Sequence, residues 1–168
     1  MNCGAERLIH YSASPVTCVQ SRSQPFTEFQ HQKPKGLWVS VEGKADWKDW
    51  CQMENFGLDR LAVGNVVTLA ATANILRLRS ACDLDDFTRT YGVPFHWQHS
   101  GSHLGSGIQW PVVAMAHQGI IIAPYIWSRR MDFGWYYGWD CASGCIWDAG
   151  AIETIGVLSA EKRHREQD

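Results

Sequence analysis

The chain has 168 residues, 45% of them hydrophobic and 19% charged, which describes one folded domain with a core of its own. A formal net charge of −2 excludes a globally basic nucleic-acid binder, although it leaves room for a local basic patch. No apolar run approaches the roughly 18 residues of a membrane span, and the start, MNCGAERLIHYSASP, carries Glu6 and Arg7 where a signal core would be apolar, so the expectation is a cytoplasmic protein of the producing or host cell.

Residues 7–11, RLIHY, are an apolar run stopped by the turn signal SASP, and predict a strand whose last residues face a cleft. From Val16 to Lys35 the chain is polar and broken by Pro25 and Pro34, a connecting loop or short helix. GLWVSV, residues 36–41, predicts a second strand closed by Glu42-Gly43. In KADWKDWCQMENF, Trp47, Trp50, Cys51 and Phe56 fall at roughly helical spacing, with Asp46 early in the first turn. Residues 65–79, NVVTLAATANILRLR, predict two strands or one bent hairpin around Ala71–Asn74. Ser80 then precedes ACDLDDFTRTYG, a helix with early acids, an apolar stripe at Leu84 and Phe87, and Gly92 at its end. Residues 93–109 are rich in Gly, Ser and His and predict a surface loop. WPVVAMAHQG predicts a short helix with Pro111 in its first turn. GIIIAPYIW predicts a buried strand, and CIW, at 145–147, another. The charged tail 159–168 lies outside a domain that spans 1–158. With no regular βαβ alternation and no internal repeat, the fold class is α+β, built on mixed or antiparallel sheets.

Nine Trp residues are the unusual feature of the composition. Indoles recur where a flat aromatic ligand is stacked, and equally where a core between sheets must be filled. The six Cys are scattered without a paired framework, and Cys141 and Cys145 lack the second close pair of a structural zinc site, so no metal is assigned. Neither of the standard Gly-rich phosphate cradles is present.

Three separated segments stand out together: Leu8-Ile9-His10-Tyr11-Ser12, a strand carrying His; Gly36-Leu37-Trp38-Val39-Ser40, a strand with a central aromatic; and Tyr136-Tyr137-Gly138-Trp139-Asp140, an acid just before an inner strand. Their order resembles the ADP-ribosyltransferase superfamily, in its diphtheria-toxin and poly-ADP-ribose-polymerase branch. VVTLAATANILRLRSACDLDDF and QGIIIAPY are similar to the middle of its small bacterial and phage members, and the likeness touches most of residues 7–152. The resemblance implies split mixed or antiparallel sheets around a central NAD cleft. It further implies cleavage of the nicotinamide–ribose bond, with transfer of ADP-ribose to a macromolecular acceptor.

On that resemblance His10 would hydrogen-bond the ribose hydroxyls, and the backbone of Tyr11 would hold the nicotinamide amide, with Ser40 near enough to contact it. Trp38 would stack the ring, helped by Trp47 or Trp50, and Ser12 would belong to the same cofactor-binding set. Arg129 and Arg130 would meet the diphosphate. Breaking the bond develops positive charge on the sugar, which a carboxylate stabilises. Here the chain departs from the family: Ser143 stands where the strand would carry Glu, and Asp140 lies three residues earlier. Asp140 is the acid of choice, with Asp148 and Glu153 as alternatives. Near-neutral charge favours a protein acceptor over a nucleic acid. The alternatives are NAD hydrolysis on the same scaffold and a catalytically inactive module that binds a nucleotide or a partner. Each residue also has a plainer reading: His10 and Trp38 as core strand residues, and Ser128-Arg129-Arg130 as a capped, solvated turn.

Overall fold

In a computed structural model the described residues are 6–21, 33–43, 45–94 and 106–158. Nine strands follow in chain order: β1 (Leu8–Ser12), β2 (Leu37–Val41), β3 (Val63–Leu69), β4 (Ile75–Leu78), β5 (Gly92–Pro94), β6 (Ser106–Ile108), β7 (Gly119–Ile122), β8 (Ser143–Ile146) and β9 (Ile152–Val157). Four helices accompany them: α1 (Trp47–Met53), α2 (Ala81–Tyr91), α3 (Trp110–Ala116) and α4 (Gly134–Tyr137). The predicted loop at 93–109 thus opens and closes with the paired strands β5 and β6, while its three His, at 96, 99 and 103, lie outside the described residues, as does the charged tail 159–168.

Seven strands make one mixed sheet in the order β4-β7-β8-β2-β1-β3-β9, and β5 pairs with β6 alone. Among the described residues only β4 and β7 run parallel. Parallel neighbours need a long crossover, and here α2, the β5–β6 pair and α3 supply it. Every residue of β7 and β8 is buried, as strands covered on both faces require. The α+β class and the mixed sheet are as the sequence predicts. Of the two readings of residues 65–79, two strands hold and the bent hairpin does not: β4 is one edge of the sheet and β3 is next to the other, with four strands between them. Both are apolar enough to pair, but the parallel partnership with β7 takes β4 away.

The local signals act as their chemistry dictates. Ser80 caps α2 in a reciprocal box with Asp83, each side chain taking the other's backbone N–H. Gly92 ends that helix in extended backbone, not in the left-handed region, and passes straight into β5. Asp46 caps α1 by accepting from the Asp49 N–H at 3.0 Å. Phe56, predicted on that helix, lies beyond its end and meets Trp47 and Trp50 edge-on.

The sheet is continuous, yet it parts locally. β1 pairs with β2 only through Leu8↔Val41 and Ile9↔Ser40. Beyond Ile9, β1 stays with β3 as far as Ser12, and the N-terminal half of β2 stays with β8. The two strands open like a fork, and a cleft lies at the opening.

Candidate functional site in the forked sheet

A side chain spans the fork. His10 Nδ1 lies 2.7 Å from the Trp38 carbonyl oxygen. A carbonyl only accepts, so Nδ1 carries the proton and Nε2 is an acceptor while the ring is neutral. The imidazole replaces a rung that the diverging backbones cannot make.

The cleft has a volume of about 310 Å³, at the lower end of the range typical of small-molecule sites. β1 contributes Ile9, His10 and Tyr11, and β2 contributes Trp38, Val39 and Ser40. Trp47 enters from the start of α1, Trp139, Asp140 and Cys141 from the approach to β8, and Ser143 from its first position. Lys33 and Arg60 complete the lining. Of the residues singled out in the sequence, the fold therefore gathers His10, Tyr11, Trp38, Ser40, Trp47 and Asp140.

Register explains part of this. Ser40 and Ser143 stand directly opposite each other on β2 and β8, so two small hydroxyls meet where bulk would close the cleft. Ser40 Oγ accepts from the Trp47 N–H at 3.0 Å and so anchors α1 against the sheet. Ser143 donates to the Cys141 carbonyl at 3.1 Å. Tyr11 is partly buried, and burial, reinforced by Asp46, Glu42 and Asp49, pushes its phenol up to about 12. The Cys141 thiol is likewise pushed up to about 12, chiefly by burial. A thiol so shifted is a poor nucleophile at neutral pH.

Asp140 is not alone. Arg130 Nη2 lies 3.1 Å from its Oδ1. The same guanidinium sits over the rings of Trp127 and Tyr137, 5.9 and 5.6 Å from their centroids. Arg129 is turned elsewhere, held bidentately by Asp85 of α2 at 2.7 and 2.8 Å. Neither arginine lines the cleft. Trp50 stands behind the site, its ring stacked on Trp47 at 5.0 Å and 16°. Ser12 lies past the fork, donating to the Ser14 carbonyl and accepting from Asn65. The alternative acids are also outside the cleft: Asp148 holds Gln118, Gly150 and Ser21, and Glu153 is exposed on β9.

Two contributors are illegible in sequence. Lys33 belongs to a polar connecting stretch, and its side chain reaches the site past Gly138. Trp139 is 1% exposed, and its indole Nε1 has no hydrogen-bond partner among the described residues. By contrast, the buried indoles of Trp135 and Trp147 donate to Thr88 Oγ1 and the His117 carbonyl. A buried donor without an acceptor is costly, and this one belongs to a residue of the cleft wall.

Among the described residues no helix is long and apolar enough to cross a membrane, and no three His, Cys, Asp or Glu are grouped to hold a metal ion. Compared with protein-family models, with curated proteins and with solved structures, the chain finds no match in any of the three.

Proposed function

We propose that the cleft binds the nicotinamide–ribose end of NAD, that the chain cleaves the bond between them, and that ADP-ribose passes to a macromolecular acceptor, a protein in preference to a nucleic acid. One observation carries the reading: His10, Tyr11, Trp38 and Ser40 converge on one aromatic-walled cleft together with the carboxylate of Asp140. Trp38 and Trp47 offer flat apolar surface to a pyridine ring. His10 Nε2 is suited to a ribose hydroxyl, since the ring's other nitrogen is already committed to the Trp38 carbonyl. Asp140 supplies negative charge for the positive charge that grows on the sugar, and the ion pair with Arg130 holds that carboxylate in place.

The same ion pair favours a second reading, binding without turnover. Arg130 already neutralises much of what Asp140 has to give, and Ser143 stands opposite Ser40 where a second carboxylate would serve. The experiment that separates the two follows free nicotinamide released from NAD, with and without cell lysate. Transfer predicts release accelerated by lysate, with label on macromolecules that protease removes and nuclease leaves. Release without label means water is the acceptor. His10→Ala and Asp140→Asn should each lower the rate on the order of a hundredfold. NAD that binds, shifts the melting curve and stays intact favours the binding module, while NAD that does neither at millimolar concentration rejects the nucleotide reading.

A further inference from the structure

The Trp38 ring is not a bare platform. The Lys33 ammonium lies 5.4 Å from its centroid. The lysine stem crosses Gly138 so closely that a Cβ there would stand 3.1 Å from Lys33 Cε and 3.8 Å from Nζ. A side chain at 138 would press on the lysine stem, which glycine leaves in place. Trp139 takes another side of Trp38, tilted by 60° at 4.9 Å. Lys33 is exposed as a whole residue, yet its charged end is drawn to the aromatic wall.

The charged and titratable neighbours of this ammonium come from three segments. Burial lowers its pKa, and the Asp140 carboxylate, facing it from the approach to β8 beside the neutral Cys141 thiol, works less strongly in the other direction. Arg60, from the turn after α1, lines the same cleft, and Arg130 shares Asp140. Within the lining itself Lys33 and Arg60 are the cations and Asp140 the carboxylate, while Asp46, Glu42 and Asp49 act on Tyr11 at the side of β1.

Now the chemistry of the ligand matters. The nicotinamide ring of NAD is a cation while joined to ribose and neutral once released. A pyridinium and an ammonium both seek the electron-rich face of an indole, and they repel each other when they share it.

We propose that Lys33 reads the charge of the nicotinamide ring, disfavouring the bound pyridinium and favouring the neutral nicotinamide that forms as the bond to ribose breaks. The inference rests on the NAD reading of the cleft. When the C1′–N bond breaks, its electron pair stays on the ring nitrogen and the positive charge moves to the ribose. An oxygen or nitrogen of the acceptor then bonds to C1′ and gives up its proton to a base. Lys33 repulsion is present before the break and gone after it, so it acts on the ground state more than on the transition state. Asp140 acts in the opposite sense on the sugar. The two charges together push the positive charge from ring to ribose.

The test uses two probes that differ in one charge, nicotinamide and its N1-methyl cation, titrated by Trp fluorescence. The wild type should bind the neutral ring on the order of tenfold tighter, the equivalent of about 1.4 kcal/mol. Lys33→Met and Lys33→Gln, two neutral variants, should close that gap, and Lys33→Arg should keep it. With NAD as substrate, Lys33→Met should lower KM and kcat together, and Lys33→Arg should restore kcat. Equal preference in wild type and both neutral variants, with nicotinamide bound by all, overturns the role of Lys33 and leaves the NAD reading standing. A wild type that binds neither probe nor NAD overturns both.

Discussion

Asn65 is fully buried at the base of the fork, and each polar atom of its side chain has a use. Nδ2 donates to the His10 carbonyl at 3.0 Å and to Ser12 Oγ at 2.9 Å, while Oδ1 accepts from the Val16 N–H at 2.9 Å. The side chain thereby ties the diverging end of β1 to the chain that leaves it, and fixes the backbone from which His10 projects. No other residue type offers two donors and an acceptor on so short a stem. Asn65→Ala should lower stability by about 1–3 kcal/mol, because it strands buried backbone groups as well as losing bonds. Urea unfolding measures this, and an unchanged midpoint would mean that the fork holds without the amide. Asn65→Asp should fare no better, since it keeps the acceptor but puts an anion in a buried place. In the sequence Asn65 is only the polar first residue of NVVTL. Its role needs three partners, at positions 10, 12 and 16, that no local pattern brings together. His10 and Trp38 were legible for the opposite reason: each sits inside its own short apolar strand, where a lone polar or flat side chain stands out.

At the scale of elements, apolar runs bounded by turn residues gave most strands their place, and pairing was hidden. β9 shows why: its residues, IETIGV, alternate too loosely between exposed and half-buried positions to announce a strand, and its pairing with β3 across five residues makes it one. β8 begins two residues before the predicted CIW and ends before Trp147, whose indole reaches instead to the His117 carbonyl. Just past it, Asp148 organises the turn into β9. It accepts from Gln118 Nε2 at 2.8 Å, from the Gly150 N–H at 2.8 Å and from Ser21 Oγ at 3.2 Å. These donors, Gln118 first, hold its carboxyl below the usual carboxylate range against the opposing effect of burial. A carboxyl whose pKa is lower folded than unfolded stabilises fully above the unfolded value, about 3.9, and loses that contribution as pH falls through the folded value. The wild type should therefore lose stability more steeply below about pH 4 than Asp148→Asn does. Parallel acid limbs for the two proteins in thermal melts would show that the turn does not sense the charge. The alternative acid of the sequence reading is thus a structural fastener, with its oxygens committed away from the cleft.

Across the whole molecule, aromatic rings form a path from the interior to the cleft. Phe87 meets Trp110 and Trp135, Trp135 meets Trp139, and Trp139 meets Trp38, with successive centroids 4.9–6.2 Å apart. The Trp residues divide by place: Trp110, Trp135, Trp139 and Trp147 are buried in the core, and Trp38, Trp47 and one face of Trp139 line the cleft. The fork has a mechanical meaning at this scale. It makes the sheet two panels, β4-β7-β8-β2 and β1-β3-β9, joined along a seam two residue pairs long. The Glu42 N–H, bonded to the Arg7 carbonyl at 2.9 Å, extends the seam at one end, and the His10 imidazole pins it at the other. A short seam is the natural place for a sheet to breathe, and amide exchange reports such openings locally. His10→Ala should speed exchange at Glu42 and Ser40, while Val67 and Ile121, inside the panels, keep their protection. Uniform acceleration at all four would mean that the sheet opens as one body and that the imidazole is no pin. If the seam alone loosens, the residue proposed to meet the ribose also sets how far the halves stand apart, and a ring in the cleft would act as a wedge that holds them.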